Sequence, residues 1–228
     1  MMTLTHYGIR EWGLGAIAAV LLGTGFVILA RHGYPATGWT LTALTALAWL
    51  ALAAFFRNPS RRIPADPLAV VSPADGVVKD IGIVDFDQAP FEGKALRIGI
   101  FLSVLDVHVN RAPAAWKVAA SVYREGRYLD ARNPDCAREN EAMTLSGTAS
   151  FGERTFPLAV RQISGAIARR IVCPVVPGRA LKRGEIYGMI KFGSRTELYL
   201  PTEGFEVTVR IGDKVHGGSD ILAKAVEA

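Results

Sequence analysis

The sequence predicts a mainly β protein carried on an N-terminal hairpin of two membrane-spanning helices. Three observations predict it. Two long uncharged stretches open the chain, short apolar runs rich in Val, Ile, Tyr and Phe follow at regular spacing, and Gly, Pro, Asp and Asn punctuate those runs.

The hairpin comes first. From Trp12 to Ala30 there are 19 residues without a charge, and from Gly33 to Phe56 there are 24 more. As a helix, either stretch is long enough to cross a hydrocarbon core of roughly 30 Å. A cleaved signal peptide has one shorter apolar region, whereas here two are joined by the tight Arg31-His32-Gly33-Tyr34-Pro35 connection. Residues 1–56 are therefore assigned to a membrane anchor. Arg57, Arg61 and Arg62 follow the second span and outweigh Arg31 in the turn, which predicts that both termini and the soluble part face the cytoplasm. In that reducing compartment Cys136 and Cys173, which lack metal-like spacing, are read as buried packing residues.

Residues 57–69, "RNPSRRIPADPLA", read as a juxtamembrane linker, and 70–228 as the β domain. Only "GAIARR" at 165–170 and the stretch from Asn133 to Glu141 look helical. A faint repeat runs through the domain. "SPADGVVKDIG", "RALKRGEIYGMI" and "GDKVHGGSDILAKA" each set a turn with glycine ahead of an apolar strand. They resemble the hammerhead units of biotinyl and lipoyl domains, so the expected fold is a barrel-sandwich. A fold does not assign a chemistry.

The formal net charge is +5 and the pI about 9.4, which suits a domain held against anionic lipid. The same charge could serve nucleic acid, but no helix-turn-helix, zinc spacing or ribonucleoprotein motif accompanies it. The expected partners are a membrane and its lipids, with no nucleic acid and no metal. Oligomeric state stays open, a homo-oligomer included.

Three stretches combine reactive side chains with turn residues: "SPADG" at 72–76, "LDVHVNRAP" at 105–113 and "KFGSR" at 191–195. Each alone has an ordinary explanation. Asp75 before Gly76 is a common turn residue, His108 alternates with Asp106 and Asn110 as on one face of a strand, and Ser194 is a loop serine. Gly193 inside a strand-like run marks a bulge or a close backbone approach. Together they supply a hydroxyl, a base and a carboxylate, the set that activates a nucleophile near neutral pH.

With "FFRNPSR", "NE" at Asn140 and Glu141, and "GMIKFGSRTELYLP" added, nearly the whole chain resembles the short, membrane-anchored phosphatidylserine decarboxylases. The resemblance implies a proenzyme that cuts itself between Gly193 and Ser194 into a large and a small subunit. It also implies that Ser194 becomes a pyruvoyl group, the electron sink for decarboxylating phosphatidylserine to phosphatidylethanolamine. Longer bacterial members carry a second histidine where this chain has Arg111, which cannot act as a base at neutral pH. Either His108 serves both maturation and proton return, or Asp75 is the maturation base while Arg111 binds the substrate's phosphate or carboxylate. The reading adopted has His108 as general acid/base, Asp75 as its partner or the maturation base, and Arg111 as a substrate ligand.

Competing classes fare worse. A non-enzymatic membrane-anchored barrel-sandwich adaptor explains the hairpin and the repeat but not "FGSR", and a biotin or lipoyl carrier lacks its lysine hairpin tip. A Ser194/Lys191 peptidase is disfavoured because positions i and i+3 of one strand point to opposite faces.

Overall fold

The computed structural model describes residues 2–91, 93–133, 135–166, 170–191 and 193–226. The chain divides into two compact units, Met1–Ser60 and Arg61–Ala228.

In the first unit, helices α1 (Ile9–Arg31) and α2 (Pro35–Phe55) pack side by side. Pro35 opens α2 at a position where a missing N–H costs nothing, and Gly33 turns the chain at φ +103°. Small residues bring the helices close: a Cβ at Gly38 would stand 2.5 Å from the Phe26 carbonyl oxygen. The segments His6–Arg31 and Pro35–Phe55 are long and apolar enough to cross a membrane, with Leu14, Val20, Leu21 and Leu47 exposed along them. Strand β1 (Met2–Leu4) pairs with β2 (Arg57–Pro59), so the first residues assigned to a linker belong to this unit.

The second unit is built from strands, named in chain order. They are β3 (Ala69–Val71), β4 (Gly76–Asp85), β5 (Lys94–Leu102), β6 (Val109–Arg111), β7 (Trp116–Arg124), β8 (Ala142–Phe151) and β9 (Arg154–Ile163). After them come β10 (Arg170–Val172), β11 (Ala180–Leu181), β12 (Ile186–Lys191), β13 (Ser194–Leu200), β14 (Phe205–Val207), β15 (Lys214–Val215) and β16 (Ile221–Ala225). One antiparallel sheet runs β11-β7-β8-β9-β13-β5-β4-β15, and two smaller ones run β10-β12-β6 and β14-β16-β3. A single apolar core joins all three: Val70 and Leu222, Tyr187, and Ile98, Ile100, Leu158 and Leu198.

Helix is scarcer than the sequence suggested. Asn133–Glu141 contains one turn, α3 (Cys136–Glu139). Of "GAIARR", residues 167–169 lie outside the described residues. Gly165 and Ala166 are irregular, and Arg170 pairs with Lys191 as the first residue of β10.

The faint repeat has a structural counterpart. Val78 accepts from Gly212 N–H and donates to the Asp213 carbonyl, and Val118 does the same with Gly178 and Arg179. Bulges fall at matching places, between Val78 and Asp80 and between Val118 and Ala120. The halves interlock reciprocally, with Arg111 N–H on the Pro73 carbonyl and Val71 N–H on the Pro113 carbonyl, both at 2.9 Å. This is why "SPADG" and "NRAP" lie side by side despite their separation in sequence.

Candidate active site

Gly193 and Ser194 do not interrupt one strand; they join two sheets. β12 pairs with β6 and β10 in a small sheet, while β13 lies between β9 and β5 in the large one. The turn between them has Gly193 at φ +71°, a left-handed conformation that a residue with a Cβ resists. The alternation argument against Lys191 and Ser194 therefore does not apply, because the two residues belong to different strands.

β13 is buried along its whole length. Leu198 and Leu200 enter the main core, so by strand alternation Ser194 and Thr196 share that inner face. Here Asn110 donates to Thr196 Oγ1 at 3.1 Å and accepts from Gln162 Nε2 at 2.8 Å. The Ser194 hydroxyl is fully buried and has no hydrogen-bond partner among the described residues. A buried orphan hydroxyl is costly and calls for an explanation.

His108 meets the same turn. Its Nδ1 lies 3.0 Å from the Asp106 carbonyl oxygen, and its Nε2 accepts from Gly193 N–H at 3.1 Å. The carbonyl can only accept, so the network assigns the proton to Nδ1 and a lone pair to Nε2. The expected His108/Asp106/Asn110 face is only partly realised. His108 and Asn110 are both fully buried, while Asp106 sits in a turn and caps Ser103 N–H and Oγ at 2.8 and 2.7 Å.

Beside Gly193 opens a cavity of about 360 Å³, walled by residues 101–104, by Asp130, Ala131 and Arg132, and by Ala166. Arg132 clasps Asp130 through two nitrogens, which holds that carboxyl down to about 2. Gly165 presses on the turn from one side: a Cβ there would stand 2.5 Å from the Gly193 carbonyl oxygen.

Asp75 and Arg111 lie together elsewhere. One Asp75 oxygen takes Arg61 at 2.6 Å and the other takes Gly217 N–H at 2.8 Å. Val77 pairs with Phe101 and Leu102 with Ser194, so the start of β4 stands two strands from Ser194, about 10 Å at ordinary strand spacing. Arg111 donates to the Gly184 carbonyl at 3.1 Å and lines a separate, wider cavity of about 690 Å³ with Arg61, Arg179, Lys182 and Arg183. Burial lowers its pKa, as does the charge of Arg61, and Asp75 partly opposes them. The structure thus brings His108, Gly193 and Ser194 into one site, and Asp75 and Arg111 into another. Among the described residues, the cation on the cavity beside Gly193 is Arg132, which the sequence reading missed.

On the outer face of β13, Arg195 bonds Asp80 at 2.5 Å and Glu197 at 2.9 Å, and Glu197 also takes the Tyr199 hydroxyl. Arg97 and Arg161 close the cluster at 3.7 and 3.9 Å from Glu197. Burial disfavours the Arg195 charge, but Glu197 and Asp80 more than reverse this and hold it protonated.

Fold and site together describe a β domain with a buried serine after a left-handed glycine, preceded by two apolar helices, and comparison with known proteins gives the family. Residues 50–223 match the family model for phosphatidylserine decarboxylase. The chain is 45% identical over 184 residues to a phosphatidylserine decarboxylase proenzyme of Carboxydothermus hydrogenoformans, covering 81% of this chain and 84% of that one. It is 42% identical over 218 residues to the proenzyme of the same name from Geobacter sulfurreducens, covering 96% of each. The chain belongs to the phosphatidylserine decarboxylase family, whose members are carboxy-lyases.

Proposed function

We propose that this chain cuts itself between Gly193 and Ser194, converts Ser194 to a pyruvoyl group, and then decarboxylates phosphatidylserine to phosphatidylethanolamine. One observation carries the reading. The Ser194 hydroxyl is buried, without a partner among the described residues, and next to a peptide whose first residue sits in a left-handed turn bonded to His108.

In maturation, Ser194 Oγ bonds to the Gly193 carbonyl carbon, the C–N bond to Ser194 breaks, and the hydroxyl proton passes to the freed nitrogen. An ester links the two residues. Loss of the Ser194 Cα proton then breaks the Cβ–Oγ bond, releasing Gly193 as a carboxylate and leaving dehydroalanine. Water adds and ammonia departs to give the pyruvoyl group. Asp75 is assigned to this stage; it stands two strands from Ser194, so its action there requires release from both Arg61 and Gly217 N–H and closure of a gap of about 10 Å.

The pyruvoyl carbonyl supplies the electron sink that decarboxylation of an α-amino acid requires. His108 supplies the proton. In the uncut chain its Nε2 is occupied by Gly193 N–H, and departure of the new C-terminus frees that nitrogen toward the cavity. Arg132 on the cavity rim is the cation best placed for the substrate's anionic head group, a role the sequence reading gave to Arg111. The hairpin keeps the enzyme on its lipid, with the second unit on the cytoplasmic side.

The test uses the full chain with phosphatidylserine vesicles. Phosphatidylethanolamine should form, and prior treatment with phenylhydrazine, which captures a reactive carbonyl, should abolish it. Product formation that survives the reagent would reject the pyruvoyl assignment.

A further inference from the structure

We infer that Asn140 and Gly165 are positioning residues for self-cleavage: Asn140 ties together the two segments that wall the scissile turn, and Gly165, by lacking a side chain, leaves the carbonyl that Ser194 attacks in its place. The inference rests on the cleavage reading above and assigns a role to a motif, the Asn-Glu pair, whose function the resemblance leaves blank.

Asn140 is fully buried and its amide is saturated. Its Oδ1 accepts from Leu129 N–H, while Nδ2 donates to the Leu129 and Ser164 carbonyls, all three at 2.8 Å. A flipped amide would face a donor with a donor and two acceptors with an acceptor, so the orientation is fixed. Leu129 leads directly into Asp130, Ala131 and Arg132 on one wall of the cavity, and Ser164 leads into Gly165 and Ala166 on the other. Glu141 adds a second tie, its carbonyl taking Ser164 N–H at 3.0 Å. Both peptide groups of Ser164 are thereby held by consecutive residues, which fixes where Gly165 stands.

Gly165 cannot be replaced without moving the turn. A Cβ on it would meet the Gly193 carbonyl oxygen at 2.5 Å, the carbonyl carbon at 3.3 Å and Ala131 Cβ at 3.3 Å. The missing Cβ leaves the carbonyl its place, and a side chain there would displace it; intramolecular attack is fast only when the reacting atoms are held in a near-attack geometry. The alternative is that Gly165 simply serves packing. Gly147 offers the comparison, since a Cβ there would stand 2.1 Å from the Lys117 carbonyl oxygen at the β7–β8 bulge. It makes the same kind of contact at a peptide that is not cut.

The experiment follows release of the 194–228 fragment over time in freshly synthesised full-length chains. Folding is measured separately by thermal unfolding in the Ser194→Ala background. Gly165→Ala should cut at least tenfold more slowly while still unfolding cooperatively, and Gly147→Ala should cut at the wild-type rate even if it unfolds earlier. Hydroxylamine, which opens an ester, should release no fragment from Gly165→Ala, because the block precedes ester formation. Cutting of Gly165→Ala at the wild-type rate, or a hydroxylamine-released fragment, overturns the inference. Should Gly165→Ala not fold, Asn140→Asp decides by the same two readings. A wild-type chain that stays uncut would overturn the cleavage reading itself, a result distinct from these.

Discussion

Strand β13 is buried on both sides, yet its two faces treat buried polarity in opposite ways. On the outer face each charge is matched: Glu197 is surrounded by Arg195, Arg97 and Arg161, and Gly99 leaves room for Arg195 to reach Asp80. Arg161 also stacks over the Phe86 and Tyr199 rings at 5.3 and 5.2 Å, closing this layer from solvent. On the inner face, Asn110 and Thr196 are paired with each other, but the Ser194 hydroxyl has no partner among the described residues. The difference separates two uses of burial. A saturated network fixes the strand's position, and an unsatisfied hydroxyl at its first residue is what the proposed self-cleavage would use.

Ser194→Ala is the most severe way to break this comparison. Cutting and decarboxylation should both be lost, as read by gel and by product formation. The uncut Ser194→Ala chain should still unfold cooperatively, because the hydroxyl removed has no partner among the described residues to leave behind.

His108→Ala sharpens the inner face further. The chain should still be cut to some extent, while decarboxylation falls by roughly 100-fold or more. Asp75→Asn, two strands away, should instead accumulate as full-length chain. A wholly uncut His108→Ala alongside normal maturation of Asp75→Asn would exchange the two assignments.

Glu197→Gln tests the outer face. Removing one partner of a buried charge cluster leaves Arg195 and Arg161 without their common carboxylate, at a cost of about 3 kcal/mol. Urea unfolding in the Ser194→Ala background should show it, while the Glu197→Gln chain with Ser194 intact still cuts. Loss of cutting without loss of stability would mean that the outer face takes part in the chemistry.

The smallest effect concerns Cys136. Burial pushes its thiol up to about 11, with Glu197 and Asp80 adding to the rise and Arg195 opposing it. The folded pKa lies above the ordinary value of 9.0, so this contribution to stability is intact below pH 9 and is lost as pH rises toward 11. Thiol-reagent labelling should accordingly be slow at pH 8 and quicken only near pH 11. Fast labelling at pH 8 would show that the packing around Cys136 is open.

The features legible in the sequence were those encoded locally. Two uncharged stretches announce the helices, and alternating runs between turn residues announce strands. Gly193-Ser194 and His108 stand within short motifs. What could not be read depends on contacts between distant segments. No local pattern shows that the chain changes sheets at residue 193, because β12 and β13 look like one strand until their partners are known. Asn140 was visible as half of a motif, but its reach to Ser164 is a matter of tertiary placement. Asp75 and Arg111 were grouped with the serine by their chemistry, whereas the reciprocal Pro73 and Pro113 contacts bring them to Arg61. Gly165 was read as helical, and the glycine makes sense once the Gly193 carbonyl is seen to stand where a Cβ would be.

The central claim, that the orphan hydroxyl of Ser194 exists to cut the chain, is tested most directly by the intact mass of the purified protein. The account predicts two pieces, residues 1–193 and the 35-residue fragment 194–228, the latter with an N-terminus blocked to sequential degradation. The Ser194→Ala chain should appear as a single piece. A wild-type preparation that is fully active while every molecule retains the mass of the 228-residue chain would contradict it.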